Sequence, residues 1–251
     1  MKVIVQNLAT EYRDEGGGPV VLLLHGWRDD LHTFDALASL LAADHRVVRV
    51  DLPGFGQSEM PKTPWHLDDY VRFVHDFTHK LGITVDILIG HSFGGRIVIK
   101  GTAANMLDAQ KIVLIASAGV AERSTFGNLF FRVLAKIGRL VTSIPPFALL
   151  REPLQRRLYR RAGGDYLSAG PLKETFLNII GEDLTASARA IEKPALLVWG
   201  SEDAETPVRD GQRLATLIPG AALEVIPGAG HFVHRKKSRD VSELIRNFSR
   251  S

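Results

Sequence analysis

The sequence predicts an α/β fold in which helices cover both faces of a mostly parallel central sheet and an all-helical cap is inserted. Short apolar runs recur along the chain, amphipathic helical patterns lie between them, and this alternation stops between residues 119 and 188. Runs that are apolar throughout are typical of strands buried on both faces, as in a parallel sheet. The alternation of strands and helices indicates βαβ units with right-handed crossovers.

The predicted strands and helices follow in order along the chain. Two short segments, Lys2–Asn7 and Thr10–Arg13, predict an antiparallel ribbon before the first parallel strand. Apolar runs predict the parallel strands at Val20–Leu24, Val47–Val50, Ile87–Ile89, Ile112–Ile115, Ala195–Trp199 and Leu223–Ile226. Apolar residues at helical spacing predict helices within Phe34–Leu41, Tyr70–Phe77, Arg96–Met106, Leu214–Ile218 and Val241–Phe248. Asp68 and Asp69 are expected in the first turn of the second helix.

Residues 119–190 contain no convincing strand and instead show successive helical stripes of apolar residues. The first stripe ends at Pro145-Pro146, because proline cannot continue a helix. The second begins at Leu150, and the third ends at Leu184. We therefore expect residues 1–118 and 189–251 to form a core domain and residues 119–188 to form a helical cap, or lid.

Composition and charge exclude several classes of protein. The chain has no cysteine, which excludes disulfide scaffolds, cysteine-based zinc sites and thiol catalysis. Its net charge of +3 is too small to argue for nucleic-acid binding. No signal peptide is visible, and the apolar run Val20–Leu24 is far shorter than the ~20 residues of a membrane span. We expect a cytoplasmic protein, a monomer or a dimer, without a nucleic-acid partner.

The strongest motif is GHSFGG at Gly90–Gly95, between a predicted strand and a predicted helix. A serine nucleophile has to stand at a sharp strand-to-helix turn, and glycines remove side chains that would clash there. The start of the helix directs its N–H groups at the site, which favours developing negative charge. Ser92 is therefore the candidate nucleophile.

A serine hydroxyl needs a base within hydrogen-bond reach, and the base needs an acid that fixes its tautomer. His231 and His234 follow the last predicted strand on a glycine-rich loop, and His231 is the preferred base. Asp203 follows the preceding strand and is the candidate acid, with Glu202 and Glu205 as near rivals. These loops leave the carboxyl edge of a parallel sheet, where such sites form.

In this order the motifs resemble those of the α/β-hydrolase superfamily, in its capped esterase and meta-cleavage-product-hydrolase-like branch. The matching segments are His25–Trp27, Asp51–Ser58, Gly90–Gly95, Trp199–Asp203 and Gly228–His231. The resemblance implies that Ser92 is the nucleophile, that His231 is the general base and then the general acid, and that Asp203 orients it. It also implies an oxyanion hole formed by the backbone N–H groups of Trp27 and Phe93.

By this resemblance the expected activity is hydrolysis of carboxylic esters, with lactones as further candidates, through an acyl-enzyme. One alternative is hydrolysis of a carbon–carbon bond in a vinylogous diketo acid by the same triad, with Arg96 or a cap arginine holding the acid. A perhydrolase is also compatible, because peroxide can replace water at the acyl-enzyme. A ligand-binding receptor on the same fold is the non-enzymatic alternative.

The predicted cap indicates where the substrate binds. Its apolar stripes are expected to close over the carboxyl edge of the sheet and to form an apolar acyl pocket. The candidate pocket walls are Phe126, Phe130, Phe131, Phe147 and Phe176. The expected partner is therefore a small-molecule ester with an apolar acyl group.

The cap segment is also basic. Between Arg123 and Arg161, nine Lys and Arg residues stand against a single acid, Glu152. The favoured interpretation is a solvated outer face. The alternatives are association with an anionic membrane surface or recruitment of a carboxylate-bearing substrate, through Arg156, Arg157, Arg160 and Arg161.

The segment His75–His79 resembles the HExxH zinc pattern, with Asp76 in place of the glutamate. The favoured interpretation is a solvated helix face, because this helix lies between core strands and away from the expected site. We expect no metal and no cofactor.

Overall fold

A computed structural model describes residues 1–120 and 170–251 of the chain. The strands of its sheet are β1 (Lys2–Val5), β2 (Leu8–Gly16), β3 (Val20–Leu24), β4 (Arg46–Val50), β5 (Val85–His91), β6 (Ala109–Ile115), β7 (Ala195–Gly200) and β8 (Ala222–Ile226). Across the sheet they follow the order β1-β2-β4-β3-β5-β6-β7-β8. β2 pairs antiparallel with β1 and β4, and every pair from β4 to β8 is parallel. The predicted antiparallel ribbon and parallel strands are confirmed.

Helices lie in the connections between these strands and after the last strand. They are α1 (Asp35–Leu41), α2 (Leu67–Leu81), α3 (Phe93–Ala103), α4 (Lys173–Ile180), α5 (Thr185–Arg189), α6 (Val208–Leu217), α7 (Val233–Lys236) and α8 (Ser238–Arg250). Asp68 and Asp69 lie in the first turn of α2, as predicted. α3 begins earlier than its apolar pattern indicates, directly after Ser92, and it ends before Asn105, whose φ of 53° cannot continue a helix. Among the described residues, no helix is both long enough and apolar enough to cross a membrane.

The sheet is buried on both faces, because alternate residues of its central strands pack against different helices. On β3, Leu22 and Leu24 join one apolar cluster with residues of α2, α3 and α6. Val21 and Leu23 join a second cluster with residues of α1 and α8. Full burial of one such side chain stabilises the fold by about 1.5–3 kcal/mol. Since the strands are parallel, the carboxyl ends of β5, β7 and β8 come to the same edge of the sheet, and each leads into a loop.

The described end of the predicted cap segment, residues 170–188, packs on the α3 face of the sheet. Leu172, Ile179 and Leu184 belong to the same apolar cluster as α2 and α3. The Leu184 N–H donates to the Gly119 carbonyl at 3.1 Å, so the chain leaves and re-enters this region at neighbouring points. The first two predicted cap stripes lie outside the described residues. The division of the chain into a core and a cap stays a prediction.

Two charged side chains of α3 hold the segment that follows α4. The buried guanidinium of Arg96 donates through Nη2 to the carbonyls of Ile179, at 2.6 Å, and of Glu182. Lys100 Nζ lies 2.6 Å from the Glu182 carboxylate and 2.8 Å from that of Asp68. Burial lowers the pKa of Arg96 to about 10, so the guanidinium remains charged at neutral pH. The cation faces the negative end of the α4 dipole, which is a favourable arrangement.

Candidate active site

The turn between β5 and α3 holds Ser92 in a strained conformation. Its φ of 50° and ψ of −106° lie outside the regions that residues with a side chain favour. Hydrogen bonds fix the turn on both sides of this residue. The Ser92 N–H donates to the Ile115 carbonyl at 3.0 Å, and the Ser92 carbonyl accepts from the Ala118 N–H at 3.2 Å. The side chain is half-buried at the point where the strand becomes a helix, as the motif predicts.

The loops after β7 and β8 bring Asp203 and His231 together. His231 Nδ1 donates to Asp203 Oδ2 at 2.9 Å, and both residues are buried. The other carboxylate oxygen, Oδ1, accepts the backbone N–H groups of Glu205 and Thr206, each at 2.9 Å. Burial favours the protonated acid, but hydrogen bonds and charge from His231, with hydrogen bonds from Thr206, hold the pKa of Asp203 below its ordinary value. The carboxylate is therefore ionised, and it fixes the hydrogen of the imidazole on Nδ1.

The rival residues occupy other positions around the imidazole. Glu202 is exposed at the surface of the same loop as Asp203. Glu205 lies on the opposite side of the ring, with Oε2 3.6 Å from His231 Nε2. His234 is buried, and its Nε2 lies 3.1 Å from the hydroxyl of Thr33. Burial lowers the pKa of His234 to about 3, which keeps this second imidazole neutral.

His91 joins the Ser92 turn to the loop of His231. Its Nε2 lies 3.1 Å from the His231 carbonyl oxygen, and the two rings are 4.8 Å apart. Because a carbonyl only accepts hydrogen bonds, Nε2 of His91 carries the hydrogen. Burial, and then the charges of His234 and His231, lower the pKa of His91 well below its ordinary value, so it too is neutral. Within the described residues, Ser92 Oγ forms no hydrogen bond to His231 Nε2; such contacts often tighten only when substrate binds.

The two residues expected to form an oxyanion hole lie beside Ser92. Phe93 is the first residue of α3, so its N–H precedes those that bond within the helix. The loop at Trp27 packs closely on the turn, since a Cβ on Gly26 would lie 3.5 Å from Ser92 Cβ. Among the hydrogen bonds of the described residues, none uses the N–H of Trp27 or of Phe93. The oxyanion hole itself stays a prediction.

An aromatic wall, formed by Trp27, Phe55, Phe93 and Phe176, borders the same corner. The Trp27 ring packs on the other three rings, with centroid separations of 4.9, 5.5 and 5.1 Å. Phe176 lies on α4, so the described end of the predicted cap contributes to this wall. The other expected pocket and basic residues lie outside the described residues; they are Phe126, Phe130, Phe131, Phe147, Arg156, Arg157, Arg160 and Arg161.

The histidine pair of the HExxH-like segment lies at the other end of the molecule. His75 and His79 lie one turn apart on α2, with ring centroids 4.4 Å apart. They border a cavity of about 450 Å³ beside the amino ends of β5 and β6. Within residues 1–120 and 170–251, no three His, Cys, Asp or Glu side chains are placed to hold a metal ion. The pair is therefore separate from the loops of Ser92 and His231.

The contacts of three residues in the site, Thr206, His91 and Glu205, are not predicted by the sequence patterns. The Thr206 hydroxyl lies 2.9 Å from Asp203 Oδ2 and 3.2 Å from His231 Nδ1. Of the three, Thr206 alone could be anticipated from the neighbouring sequence, because an aspartate side chain often accepts the N–H groups of the residues two and three positions after it. The contacts of His91 with the His231 carbonyl and of Glu205 with Nε2 depend on loops that meet only in the folded chain.

Known proteins are similar to this chain in sequence and in fold. A model of the alpha/beta hydrolase family matches residues 21–244. The uncharacterized hydrolase YugF of Bacillus subtilis strain 168 is 27% identical over 257 residues, covering 96% of this chain and 94% of that protein.

Among solved structures, an esterase from Exiguobacterium antarcticum superposes with a TM-score of 0.77 at 21% identity, over 100% of this chain and 99% of its own. A meta-cleavage product hydrolase from Pseudomonas fluorescens IP01 superposes with a TM-score of 0.74 at 21% identity, over 99% and 96%. At these identities the two structures show a shared fold alone. Together with the family match over residues 21–244, that fold establishes that the chain belongs to the alpha/beta hydrolase family.

Proposed function

We propose that the protein hydrolyses carboxylic esters through an acyl-enzyme formed on Ser92. The observation that carries this proposal is the 2.9 Å hydrogen bond between His231 Nδ1 and the buried Asp203, on loops that adjoin the Ser92 turn. With its hydrogen on Nδ1, the imidazole has a free lone pair on Nε2, which is the requirement for a general base. Membership of a hydrolase family supports the class of reaction.

The proposed reaction proceeds in two halves. Ser92 Oγ attacks the ester carbonyl carbon while His231 Nε2 accepts the hydroxyl proton. The N–H groups of Trp27 and Phe93 stabilise the oxyanion, at roughly 3–4 kcal/mol for each effective donor. His231 returns the proton to the leaving alcohol oxygen as the C–O bond breaks. Water, activated by the same Nε2, then attacks the acyl-enzyme, releases the acid and restores the serine.

The proposed substrate has an apolar acyl group, because the aromatic wall borders the donors that would hold its carbonyl oxygen. In this proposal residues 119–188 form a cap over the site, and Phe176 lies in the part of this segment that the structure describes. Arg96 does not support an acid-binding role in a diketo-acid hydrolase. It is buried, and its Nη2 is bonded to the carbonyls of Ile179 and Glu182.

The decisive variant is Ser92→Ala. We expect it to lower turnover of p-nitrophenyl butyrate by roughly 10⁴–10⁶-fold and to abolish labelling by a fluorophosphonate, while the fold is retained. Circular dichroism and thermal unfolding check the fold. Near wild-type turnover in the purified variant, or a label on another residue of the wild-type protein, would overturn the assignment of Ser92.

A second comparison separates the two histidines. His231→Gln should lose nearly all turnover, whereas His234→Gln should retain most of it, since His234 does not contact Asp203 among the described residues. Equal losses would show that the wrong base has been assigned. A panel of p-nitrophenyl esters of graded chain length, with a lactone and a vinylogous diketo acid added, then fixes the bond that is cleaved.

A further inference from the structure

Glu205 approaches the candidate base from the side on which the reaction would take place. It lies on the loop between β7 and α6, two residues after Asp203, and its Oε2 is 3.6 Å from His231 Nε2. On the other side of the ring, Nδ1 donates its hydrogen bond to Asp203. In the proposed mechanism Nε2 exchanges protons with Ser92 and with the leaving group. The Glu205 carboxylate therefore places a negative charge beside the proposed reacting atoms.

The position of this carboxylate is built into the loop. The Glu205 N–H donates to Asp203 Oδ1 at 2.9 Å, which fixes the backbone from which the side chain leaves. The Glu205 side chain is 62% exposed, whereas that of His231 is only 7% exposed. A carboxylate in this position is not part of the apolar core, and it meets solvent next to His231 Nε2. Its charge therefore acts on whatever approaches Nε2.

We propose that Glu205 determines substrate charge: it selects neutral esters and disfavours esters whose acyl group ends in a carboxylate. Two carboxylates brought into the same small site repel each other, and the repulsion is strongest where water is partly excluded. The inference rests on the proposed ester hydrolysis at Ser92, and it narrows the substrate class of that site. It also opposes recruitment of an acidic substrate to Nε2 by the basic residues of the predicted cap.

Among the described residues, the ionisable groups that contact His231 or lie next to it do not cancel this charge. Asp203 carries the same sign and is bonded to Nδ1. His91 and His234 are buried, and their pKa values are lowered so that both are neutral. Arg235 is the cation of this set, and its guanidinium lies over the ring of the exposed Phe232, 5.6 Å from the centroid. Among these groups, the carboxylate of Glu205 is the one that faces Nε2.

Two substrates of matched length test the selection. p-Nitrophenyl butyrate and p-nitrophenyl hemisuccinate have the same number of acyl carbons, and only the second ends in a carboxylate. In Glu205→Gln, the ratio of kcat/KM for hemisuccinate to that for butyrate should rise about two- to fivefold at low salt. The increase should shrink at high salt, because exposed charges are screened. Glu205→Lys should raise the ratio further, because it reverses the charge.

Glu202→Gln is the matched control, because it removes an exposed charge from the same loop without changing the group beside Nε2. It should leave the ratio of the two esters at its wild-type value. An equal change in both glutamine variants would overturn the proposal, since it would reflect the net charge of the protein. An unchanged ratio in both Glu205 variants would overturn it as well.

A readout without catalysis separates this inference from the proposed function. Butyramide and succinamate are unreactive amides that carry the same two acyl groups, and their binding can be measured by NMR. In Glu205→Gln, the ratio of Kd for succinamate to Kd for butyramide should fall about two- to fivefold, because the variant lacks the repelling carboxylate. An unchanged ratio would overturn the action of Glu205 on substrate charge. If the wild type hydrolysed neither ester, the proposed function would fall, and the binding comparison would still decide that action.

Discussion

Gly90→Ala places a methyl group where the Ser92 turn has no space for one. The added Cβ would lie 2.5 Å from the carbonyl carbon and oxygen of Gly94 and 2.6 Å from the nitrogen of Gly95. All of these are backbone atoms, and they are about 1 Å closer than van der Waals contact allows, so the turn has to move. Overpacking of this kind lowers the free energy of unfolding by about 1–3 kcal/mol.

The same displacement should lower catalysis. Trp27 and His231 are fixed on other loops, so a shift of about 1 Å at Ser92 moves the nucleophile relative to both and should cost about 100-fold in turnover. Gly17→Ala is the matched control, because a Cβ there meets no atom within 4 Å. It should leave the free energy of unfolding within about 0.5 kcal/mol of the wild type.

Urea unfolding and hydrolysis of p-nitrophenyl butyrate measure both effects on the same preparations. Gly90→Ala should lose stability and turnover together, whereas the control should lose neither. A Gly90→Ala protein with the unfolding midpoint and turnover of the wild type would refute the reasoning that close backbone packing positions Ser92.

Asp203→Asn should lower ester turnover about 10⁴-fold through loss of tautomer control, measured as kcat with Glu202→Gln as the unaffected control; a loss below tenfold would contradict the role of the acid. The lowered pKa of His234 means that the unfolded chain binds a proton that the folded protein does not, so the free energy of unfolding falls as the pH drops from about 6.5 toward 3. His234→Phe should reduce that decline by about 1.4 kcal/mol per pH unit in urea unfolding between about pH 6 and 4, and an unchanged slope would count against a neutral buried imidazole. Phe176→Ala should shift kcat/KM toward longer acyl chains more than it changes acetyl-ester turnover, because the ring packs on Trp27; a uniform change across chain lengths would argue against a pocket wall.

The sequence predicts the sheet well because burial of its strands on both faces leaves short runs that are apolar throughout. β3 is an example, since all of its residues are apolar and they alternate between two clusters of the core. The position of Ser92 is also predictable, because the glycines around it report a backbone that leaves no room for side chains. Both patterns are formed by residues that are close together in the sequence, so they can be recognised without a structure.

Contacts that depend on the meeting of distant loops are not predictable in this way. Nothing in the sequence gives His91 a role in the motif, yet its ring donates to the carbonyl of His231, 140 residues away. Glu202 and Glu205 are indistinguishable in the sequence, since both are acids beside Asp203. Only the folded loop directs Glu205 toward Nε2 and leaves Glu202 in solvent. The start of α3 is likewise set by the strained turn rather than by its apolar spacing.

The hydrogen bond from Leu184 to Gly119 places the two ends of the intervening segment next to each other. That segment should therefore tolerate replacement by a segment of another sequence and length. A segment whose two ends are already side by side can be replaced by a longer or shorter one at low entropic cost, about 0.6 kcal/mol for each doubling of length. Arg96 holds the carbonyls of Ile179 and Glu182, just before this re-entry point. Transplants that keep residues 179–184 are therefore the natural route to a new acyl-chain selectivity in the proposed esterase, with the loops of Ser92 and His231 left as they are.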